Sequence, residues 1–263
     1  MARILAISSQ VVRGHVGLCA TVPALQSLGH EVWALPTVLL ASRPGLGRVD
    51  RLQIAAGELA AMLEAIESDG CWPSLDAVLT GYFPSPDAVA VAARAVGRIK
   101  AANPSVIVCT DPILGDNGKL YIPEETAGAI RDDLLPLATL ATPNLFELGW
   151  LSGAPIGSIE DAAGAARRLG PSMVAVTSAA VSRQEVTTLL VHDAALSRRT
   201  TPWFAGVPNG AGDLFAGLLL GHLLRQLPAE DAFDAALAAL GPVLASSDGR
   251  DVLQLSALQS RPT

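Results

Sequence analysis

The chain has 263 residues, half of them apolar, which is enough material for one large domain with a continuous core. The net charge of −7 argues against the broad basic surface that nucleic-acid binders carry, so no nucleic-acid partner is expected. The three cysteines are far apart and lack paired metal-ligand spacing, so neither a disulfide framework nor a zinc site is indicated. No apolar run has the length of an export signal or a membrane span, so we expect a cytoplasmic protein with no membrane partner.

Short apolar runs of strand length alternate with helical patterns along the chain. The predicted strands are Arg3–Ser8, Glu31–Thr37, Ala77–Thr80, Ser105–Thr110, Thr139–Thr142, Met173–Thr177 and Thr187–Val191. The predicted helices are Gly17–Leu28, Asp50–Glu67, Pro86–Ala102, Glu124–Leu135, Leu145–Leu151, Ile159–Leu169, Gly212–Leu224 and Ala229–Ala245. This alternation predicts an α/β fold with a mostly parallel sheet covered by helices on both faces.

Local signals refine this picture. Ser158 is placed to cap the helix that follows it, and Pro86 suits a first helical turn. The chain has no low-complexity linker and no internal repeat, so residues 1–263 are expected to form a single domain. The least regular stretches are Leu39–Val49 and Gly115–Pro123, and both follow predicted strands. Because ligands of open α/β sheets bind at the carboxyl ends of strands, we expect these stretches to form substrate and phosphate lids.

A glycine-flanked aspartate lies near the C-terminus. Gly210-Ala211-Gly212-Asp213 immediately precedes a strongly apolar helix. The glycines allow successive backbone N–H groups to converge on a phosphate, and the helix adds the positive end of its dipole. Asp213 would then accept the proton of an attacking alcohol. Taken alone, the same four residues also fit a simple helix entry with Asn209 or Asp213 as its cap.

Three further segments occur in order before this turn. They are Ile7-Ser-Ser-Gln-Val-Val-Arg-Gly-His-Val-Gly17, Thr110-Asp-Pro-Ile-Leu-Gly-Asp116 and Thr142-Pro-Asn-Leu-Phe-Glu147. Together with Gly210–Asp213 and with Thr80-Gly-Tyr82, they resemble the pyridoxal kinases of the ribokinase-like superfamily from one end of the chain to the other. The resemblance implies a ribokinase-like three-layer α/β/α fold and a homodimer. It also implies ATP-dependent phosphorylation of the 5′-hydroxymethyl group of pyridoxal in vitamin B6 salvage, with pyridoxine and pyridoxamine as further candidate substrates.

The resemblance also assigns a nucleotide and metal site. It places Asp111, Asn144, Thr177 and Asn209 beside ATP, and it places Asp111, Asp116 and Glu147 near Mg²⁺, with room for a monovalent cation such as K⁺. Carboxylate and amide oxygens suit Mg²⁺, which keeps several waters and contacts few protein groups directly. From the residues alone, Asn144 and Glu147 equally fit a helix-start motif, and Asp111 a turn before Pro112.

For the acceptor, the resemblance places Ser9 and Val16 against the pyridine ring, with Thr37 and Tyr82 completing the pocket. Ser9 can hydrogen-bond a ring nitrogen or phenolic oxygen, and Tyr82 can form an aromatic wall. The alternative is that Ser9 satisfies a turn and Tyr82 packs at a sheet edge. His15 is interpreted as a turn or pocket-edge residue, since phosphoryl transfer depends on positioning and charge stabilisation.

The chain departs from the family pattern at two places. Ala211 replaces the usual threonine between the glycines, which removes a hydroxyl from the anion site. The stretch Val38-Leu-Leu-Ala-Ser-Arg43 lacks the polar and aromatic groups that the family carries there. Two alternatives therefore stay open: a kinase for hydroxymethylpyrimidine or another small alcohol, and a non-catalytic homologue that binds pyridoxal and nucleotide.

Overall fold

A computed structural model describes residues 1–46 and 50–259 of the chain. The strands are β1 (Arg3–Arg13), β2 (Glu31–Ser42), β3 (Arg51–Gln53), β4 (Ala77–Thr80), β5 (Ile107–Thr110), β6 (Gly115–Asp116), β7 (Lys119–Leu120), β8 (Leu140–Ala141), β9 (Met173–Val181), β10 (Glu185–His192) and β11 (Ala195–Pro202). The helices are α1 (Leu18–Ser27), α2 (Ala56–Ser68), α3 (Pro86–Ala102), α4 (Glu124–Ala129), α5 (Leu145–Ser152), α6 (Ile159–Arg168), α7 (Ala211–Leu224) and α8 (Ala229–Ser247).

Nine strands form one sheet in the order β11-β10-β9-β8-β5-β4-β1-β2-β3. The central neighbours from β2 to β9 pair in parallel, whereas β3, β10 and β11 add antiparallel edges. Apolar residues of α2, α3 and α4 pack on one side of the sheet, and those of α1, α7 and α8 form a separate core. The mostly parallel, three-layer α/β/α arrangement predicted from the sequence is confirmed.

The helix-end signals explain where several helices begin. The Ser85 hydroxyl accepts a hydrogen bond from the Ala88 N–H at 3.3 Å, and Pro86 occupies the first turn of α3. Ser158 caps α6 in the same way by accepting from the Asp161 N–H at 3.0 Å. These contacts fix where α3 and α6 begin.

Two glycines of α7 allow it to approach α1 closely. A Cβ on Gly217 would lie 3.0 Å from the Ala24 Cβ, and a Cβ on Gly221 would lie 2.6 Å from a methyl of Leu28. The close approach is also marked by a 3.4 Å hydrogen bond from the Thr21 hydroxyl to the Asp213 carbonyl. The amino-terminal turns of the two helices are therefore neighbours, and both direct their unpaired N–H groups to the same region.

The two predicted lids are more regular than expected. Leu39–Ser42 was predicted to be irregular, but it continues β2, and the antiparallel strand β3 pairs with it from Val38 to Leu40. Gly115–Pro123 contains the hairpin of β6 and β7, whose turn has positive φ at Asn117 and Gly118. Residues 43–46 of the first predicted lid form a turn, in which the Leu46 N–H donates to the Arg43 carbonyl at 3.2 Å, and residues 47–49 lie outside the described residues.

Several element boundaries differ from the sequence prediction, and β1 runs on to Arg13 and β9 to Val181. The helix expected over Asp50–Glu67 begins only at Ala56, because the preceding residues form β3. The helix expected over Glu124–Leu135 ends at Ala129, and the chain continues as a π-helical turn over Ile130–Leu134. Strand β11 was not predicted. Over residues 1–46 and 50–259, no helix combines the length and apolar character needed to cross a bilayer.

Candidate active site

A cavity of about 970 Å³ lies at the carboxyl ends of the parallel strands. Its walls come from the ends of β1, β4, β5, β8 and β9, from β2 and the edge strand β3, from β10 and β11, and from α8 and the start of α7. All but one of the predicted site residues line it: Ser9, Val16, Tyr82, Asp111, Asp116, Asn144, Glu147, Thr177, Asn209, Gly210, Ala211, Gly212 and Asp213. The exception is Thr37.

The turn that opens α7 is built on a close backbone contact. Gly210 has φ of +114°, and a Cβ there would lie 1.9 Å from the His15 carbonyl oxygen. A residue with a side chain is therefore excluded at Gly210 on both conformational and steric grounds. Gly212 is different, because a Cβ there would meet no protein atom within 4 Å, and its φ is not positive. Open space beside the N–H groups of a helix start is what an incoming phosphate requires.

Asp213 lies in the first turn of α7, partly buried between the two helix starts. Burial raises the pKa of its carboxyl to about 6, although hydrogen bonds from the backbone N–H groups of Gly17 and of Asp213 itself oppose the shift. A carboxylate with this pKa is ionised near neutral pH and basic enough to take a proton from an alcohol during catalysis. The position and the pKa both fit a general base.

Asp111 follows β5 and is buried in the same cavity. Its Oδ1 accepts a hydrogen bond from the Thr142 hydroxyl at 2.8 Å. Burial raises the pKa of Asp111 to about 8, the negative charge of Asp213 contributes to the rise, and the Thr142 hydrogen bond opposes both effects. Asp111 therefore carries an electrostatic cost that a bound cation would relieve.

Asn144 and Glu147 form a reciprocal cap at the start of α5. The Glu147 N–H donates to Asn144 Oδ1 at 2.9 Å, and the Asn144 N–H donates to Glu147 Oε2 at the same distance. Glu147 Oε1 also accepts from the N–H groups of Leu114 at 3.0 Å and Gly115 at 3.4 Å. The contacts of this motif are therefore those of a helix start. The carboxylate nevertheless lines the cavity, so capping and metal binding are compatible.

The acidic groups fit a divalent cation held by few direct contacts. Burial, followed by the charge of Asp111, raises the pKa of Glu147 well above its usual range. Three backbone hydrogen bonds to the carboxylate oppose this rise. Asp116 lies at the cavity edge, and its carboxylate accepts from the N–H and side-chain amide of Asn117. Within the described part of the chain, no three His, Cys, Asp or Glu side chains are close enough to ligate one ion. A Mg²⁺ that keeps most of its waters suits this donor set.

The opposite end of the cavity is shaped by β1 and β4. Gly17 has φ of +55°, and a Cβ there would lie 2.2 Å from the Ser9 carbonyl oxygen, so the turn before α1 is packed tightly over Ser9. The Ser8 hydroxyl accepts a hydrogen bond from the Tyr82 N–H at 3.0 Å. These contacts hold Ser9 and Tyr82 at the cavity wall.

Thr37 was placed in this pocket from the resemblance, but the structure turns it away. Its hydroxyl donates to the Tyr82 carbonyl at 2.8 Å, and the side chain is buried. The cause is a bulge between β1 and β2: Ser8 pairs with Pro36 and Gln10 with Leu39, so Thr37 and Val38 together oppose Ser9. Val38 takes the place at the cavity, and Thr37 positions Tyr82 instead.

The structure adds cavity residues that the sequence did not identify. At the edge of the sheet these are Val38, Leu40 and Arg51. At the other end, Trp203 and Phe204 precede the glycine turn, and Leu237, Leu240 and Leu244 of α8 complete an apolar wall. The leucines recur at three- and four-residue spacing, which marks a buried helix face but does not distinguish a core contact from a ligand contact.

Comparison with known proteins places the chain in a family. A model of the phosphomethylpyrimidine kinase family matches residues 17–259. The chain belongs to this family. Among curated relatives, the pyridoxal kinase of Corynebacterium diphtheriae is 33% identical over 98% of this chain and 94% of that protein. The pyridoxal kinase of Rubrobacter xylanophilus is 36% identical over 97% of this chain and 92% of its own length.

Solved structures of this kinase family have the same fold. The pyridoxal kinase of Leishmania donovani in complex with ADP and pyridoxine superposes with a TM-score of 0.90 and 28% identity, covering 98% of this chain and 95% of that one. The resemblance to pyridoxal kinases inferred from the four motifs is therefore confirmed. This chain is a kinase homologue over nearly its whole length, and the cavity described above is its candidate active site.

Proposed function

We propose that the chain transfers the γ-phosphoryl group of ATP to the 5′-hydroxymethyl group of pyridoxal, as a pyridoxal kinase of vitamin B6 salvage, with pyridoxine and pyridoxamine as further acceptors. The observation that carries this proposal is the position of Asp213. It lies between the starts of α1 and α7, beside the open backbone of Gly212, and lines a cavity large enough for two ligands. Curated relatives that align with almost the whole chain are pyridoxal kinases.

The chemistry follows from that position. Asp213 takes the proton of the hydroxymethyl group while its oxygen forms a bond to the γ-phosphorus of ATP. The bond from that phosphorus to the β-phosphate oxygen breaks at the same time, and ADP leaves. The N–H groups of Ala211 and Gly212 face the transferred phosphoryl group and offset its negative charge without reorganising. Both contributions depend on where these groups lie relative to the reacting atoms. This agrees with a reaction in which the protein supplies alignment and charge stabilisation.

The nucleotide is assigned to the end of the cavity formed by β9, β10, β11 and α8. Thr177 and Asn209 line this end, with Asp111 and Asn144 closer to the phosphates. Asp111, Asp116 and Glu147 would hold Mg²⁺, largely by way of water, and the cation would supply charge neutralisation at the phosphate oxygens. A monovalent cation such as K⁺, a homodimeric state, a single domain over residues 1–263 and a cytoplasmic location complete the proposal.

A hydroxymethylpyrimidine is the second candidate acceptor. The family model that matches residues 17–259 is described as phosphomethylpyrimidine kinase. The cavity wall at the sheet edge presents Val38, Leu40 and Pro44, which would accept either heterocycle. The same phosphoryl-transfer groups would serve both acceptors, so the reaction type does not separate them.

An acceptor panel tests the proposal. Purified protein with MgATP is offered pyridoxal, pyridoxine, pyridoxamine and hydroxymethylpyrimidine, and ADP release is followed together with the mass of the product. We expect the three B6 vitamers to give the highest kcat/KM. A preference for the pyrimidine would assign the second function, and binding of pyridoxal and nucleotide without product at several Mg²⁺ and K⁺ concentrations would support the non-catalytic homologue.

A further inference from the structure

The edge of the sheet places one positive charge at the acceptor end of the cavity. Arg51 belongs to β3, which pairs antiparallel with β2 so that Arg51 is opposite Leu40 and Gln53 is opposite Val38. Directly opposed residues share a face of a sheet, and successive residues alternate between faces. Leu52 accordingly points away from the cavity, whereas the half-buried Leu40 and the exposed Arg51 both line it.

The rest of this wall is apolar. Val38, Leu40 and Pro44 line the cavity with Arg51. Two polar side chains that follow Leu40 in the chain are committed elsewhere. Arg43 donates to the Asp251 carbonyl at 2.6 Å and to the Pro44 carbonyl at 3.0 Å, and the Ser42 hydroxyl donates to the Leu46 carbonyl at 3.0 Å.

Arg51 also acts on the neighbouring aromatic wall. Burial raises the pKa of the Tyr82 phenol, and the positive charge of Arg51 opposes that shift. The two side chains are therefore within electrostatic reach across the acceptor end. Among the described residues, no carboxylate forms an ion pair with Arg51. A ligand in this part of the cavity meets a guanidinium whose donors are available.

We propose that Arg51 determines acceptor specificity by binding an acidic ring oxygen of the acceptor, the phenolic oxygen of a B6 vitamer. This inference rests on the proposed function and extends it to the basis of substrate choice. The phenolic oxygen of these vitamers is largely ionised near neutral pH, because the ring nitrogen withdraws electron density. A guanidinium forms strong charge-assisted hydrogen bonds with such an oxygen. A hydroxymethylpyrimidine carries an amino group in place of an acidic oxygen and gains nothing from Arg51.

The test compares two acceptors that differ only in this oxygen, pyridoxine and 3-deoxypyridoxine, with wild type and Arg51→Met. We expect Arg51→Met to lower kcat/KM for pyridoxine by about tenfold, mainly through KM, because the charge-assisted bond lies at a partly solvated wall. The rate with 3-deoxypyridoxine should stay nearly unchanged. Arg51→Lys should restore part of the preference, since it keeps the charge but not the planar donor geometry.

A control variant and an absorbance measurement distinguish a lost contact with the acceptor from a change in the protein structure. Arg183→Met removes an exposed arginine from the turn between β9 and β10, outside the cavity, and should change neither acceptor. The absorbance of bound pyridoxine should report the ionised ring with wild type and shift towards the neutral form with Arg51→Met. An equal loss with both acceptors, or no loss with either, would overturn the inference. No product from either acceptor with wild-type protein would contradict the proposed function itself, and this inference with it.

Discussion

Gly210 lies against the carbonyl oxygen of His15, so close that a Cβ on Gly210 would be 1.9 Å from that oxygen. The contact joins the turn after β1 to the turn before α7. It sets Val16, of the proposed acceptor wall, beside the backbone proposed to bind phosphate and the proposed base Asp213. The placement of these two functions relative to each other therefore depends on a position that only glycine can occupy.

The two glycines of this turn should respond differently to alanine. Gly210→Ala meets the His15 carbonyl and a φ of +114°, so it should lower both activity and the free energy of unfolding, the latter by about 1–3 kcal/mol. Gly212→Ala meets no protein atom within 4 Å and should leave the folded protein equally or slightly more stable. Its methyl group should still lower turnover, because it enters the space assigned to the phosphoryl group.

Thermal unfolding and steady-state kinetics of both variants check this pair. The wild-type protein supplies the reference for each measurement. If Gly212→Ala keeps full turnover, the transferred phosphate does not approach this backbone, and the assignment of the anion site would be wrong.

Removing the proposed base should abolish most of the activity without unfolding the protein. Asp213→Asn should reduce kcat by about 10²–10⁴-fold while the melting temperature stays at or above that of wild type. Near-normal turnover in this variant would exclude Asp213 from proton transfer.

Activity should also depend on pH through the same carboxyl. Because the pKa of Asp213 is raised to about 6, the base is protonated and inactive below that pH and ionised above it. We expect kcat/KM in the wild-type protein to rise about tenfold per pH unit up to about pH 6 and then level off. A profile that is flat from pH 5 to 8 would contradict the assignment. As a control, the residual kcat/KM of Asp213→Asn should not rise with pH in this range.

Asp111 should make the ligand-free protein less stable at high pH. Its folded pKa is about 8 and its ordinary value 3.8, so the folded state holds a proton that the unfolded chain releases between these pH values. The free energy of unfolding should therefore fall as pH rises across this window. Asp111→Asn should remove much of that dependence and stabilise the protein by about 1–3 kcal/mol near pH 8.

Chemical denaturation of the ligand-free protein at several pH values measures this effect. MgADP should stabilise the wild type more than Asp111→Asn, because ligands that bind only the folded state shift unfolding by mass action. A variant that loses stability at pH 8 would show that the Asp111 carboxylate is not an electrostatic burden in the folded state.

Replacing the Glu147 carboxylate should destabilise the protein, whereas replacing that of Asp111 should stabilise it, although both acids are buried. Three backbone N–H groups donate to its carboxylate, and the amide of Glu147→Gln offers one acceptor oxygen and turns an NH₂ group towards the remaining donors. We expect a loss of about 1–3 kcal/mol in the free energy of unfolding. Glu160→Gln, at an exposed position in the first turn of α6, is the control for charge removal. Equal stability of the two variants would argue against the cap.

The sequence predicted the elements whose apolar pattern is strong. Strand β4 and helix α3 have the predicted bounds, because continuous burial and a Ser-Pro start leave little choice. Strand β11 was missed since its residues are exposed or only half-buried, and it is held at the edge by β10 and by ion pairs from Arg199 to α8. Three-residue β3 is too short for any periodicity to reveal.

The same difference separates the cavity residues that the sequence predicted from those that it missed. Residues that follow a strand directly, such as Asp111 and Tyr82, line the cavity as expected, because the carboxyl ends of parallel strands meet there. Thr37 was misplaced because a bulge changes which residue of β2 faces the cavity, and bulges leave no periodic signal. Arg51 was not identified as a cavity residue for a related reason, since its place at the wall depends on a pairing between β2 and β3 that appears only in three dimensions.

The central claim is direct phosphoryl transfer from ATP to pyridoxal, and phosphorus NMR of one reaction mixture tests it most directly. Purified protein with MgATP and pyridoxal should produce ADP and pyridoxal 5′-phosphate in equal amounts, and the same mixture with Asp213→Asn should remain almost unchanged. Formation of ADP with free phosphate and no phosphorylated vitamer, or no reaction at all at saturating pyridoxal, would contradict the account.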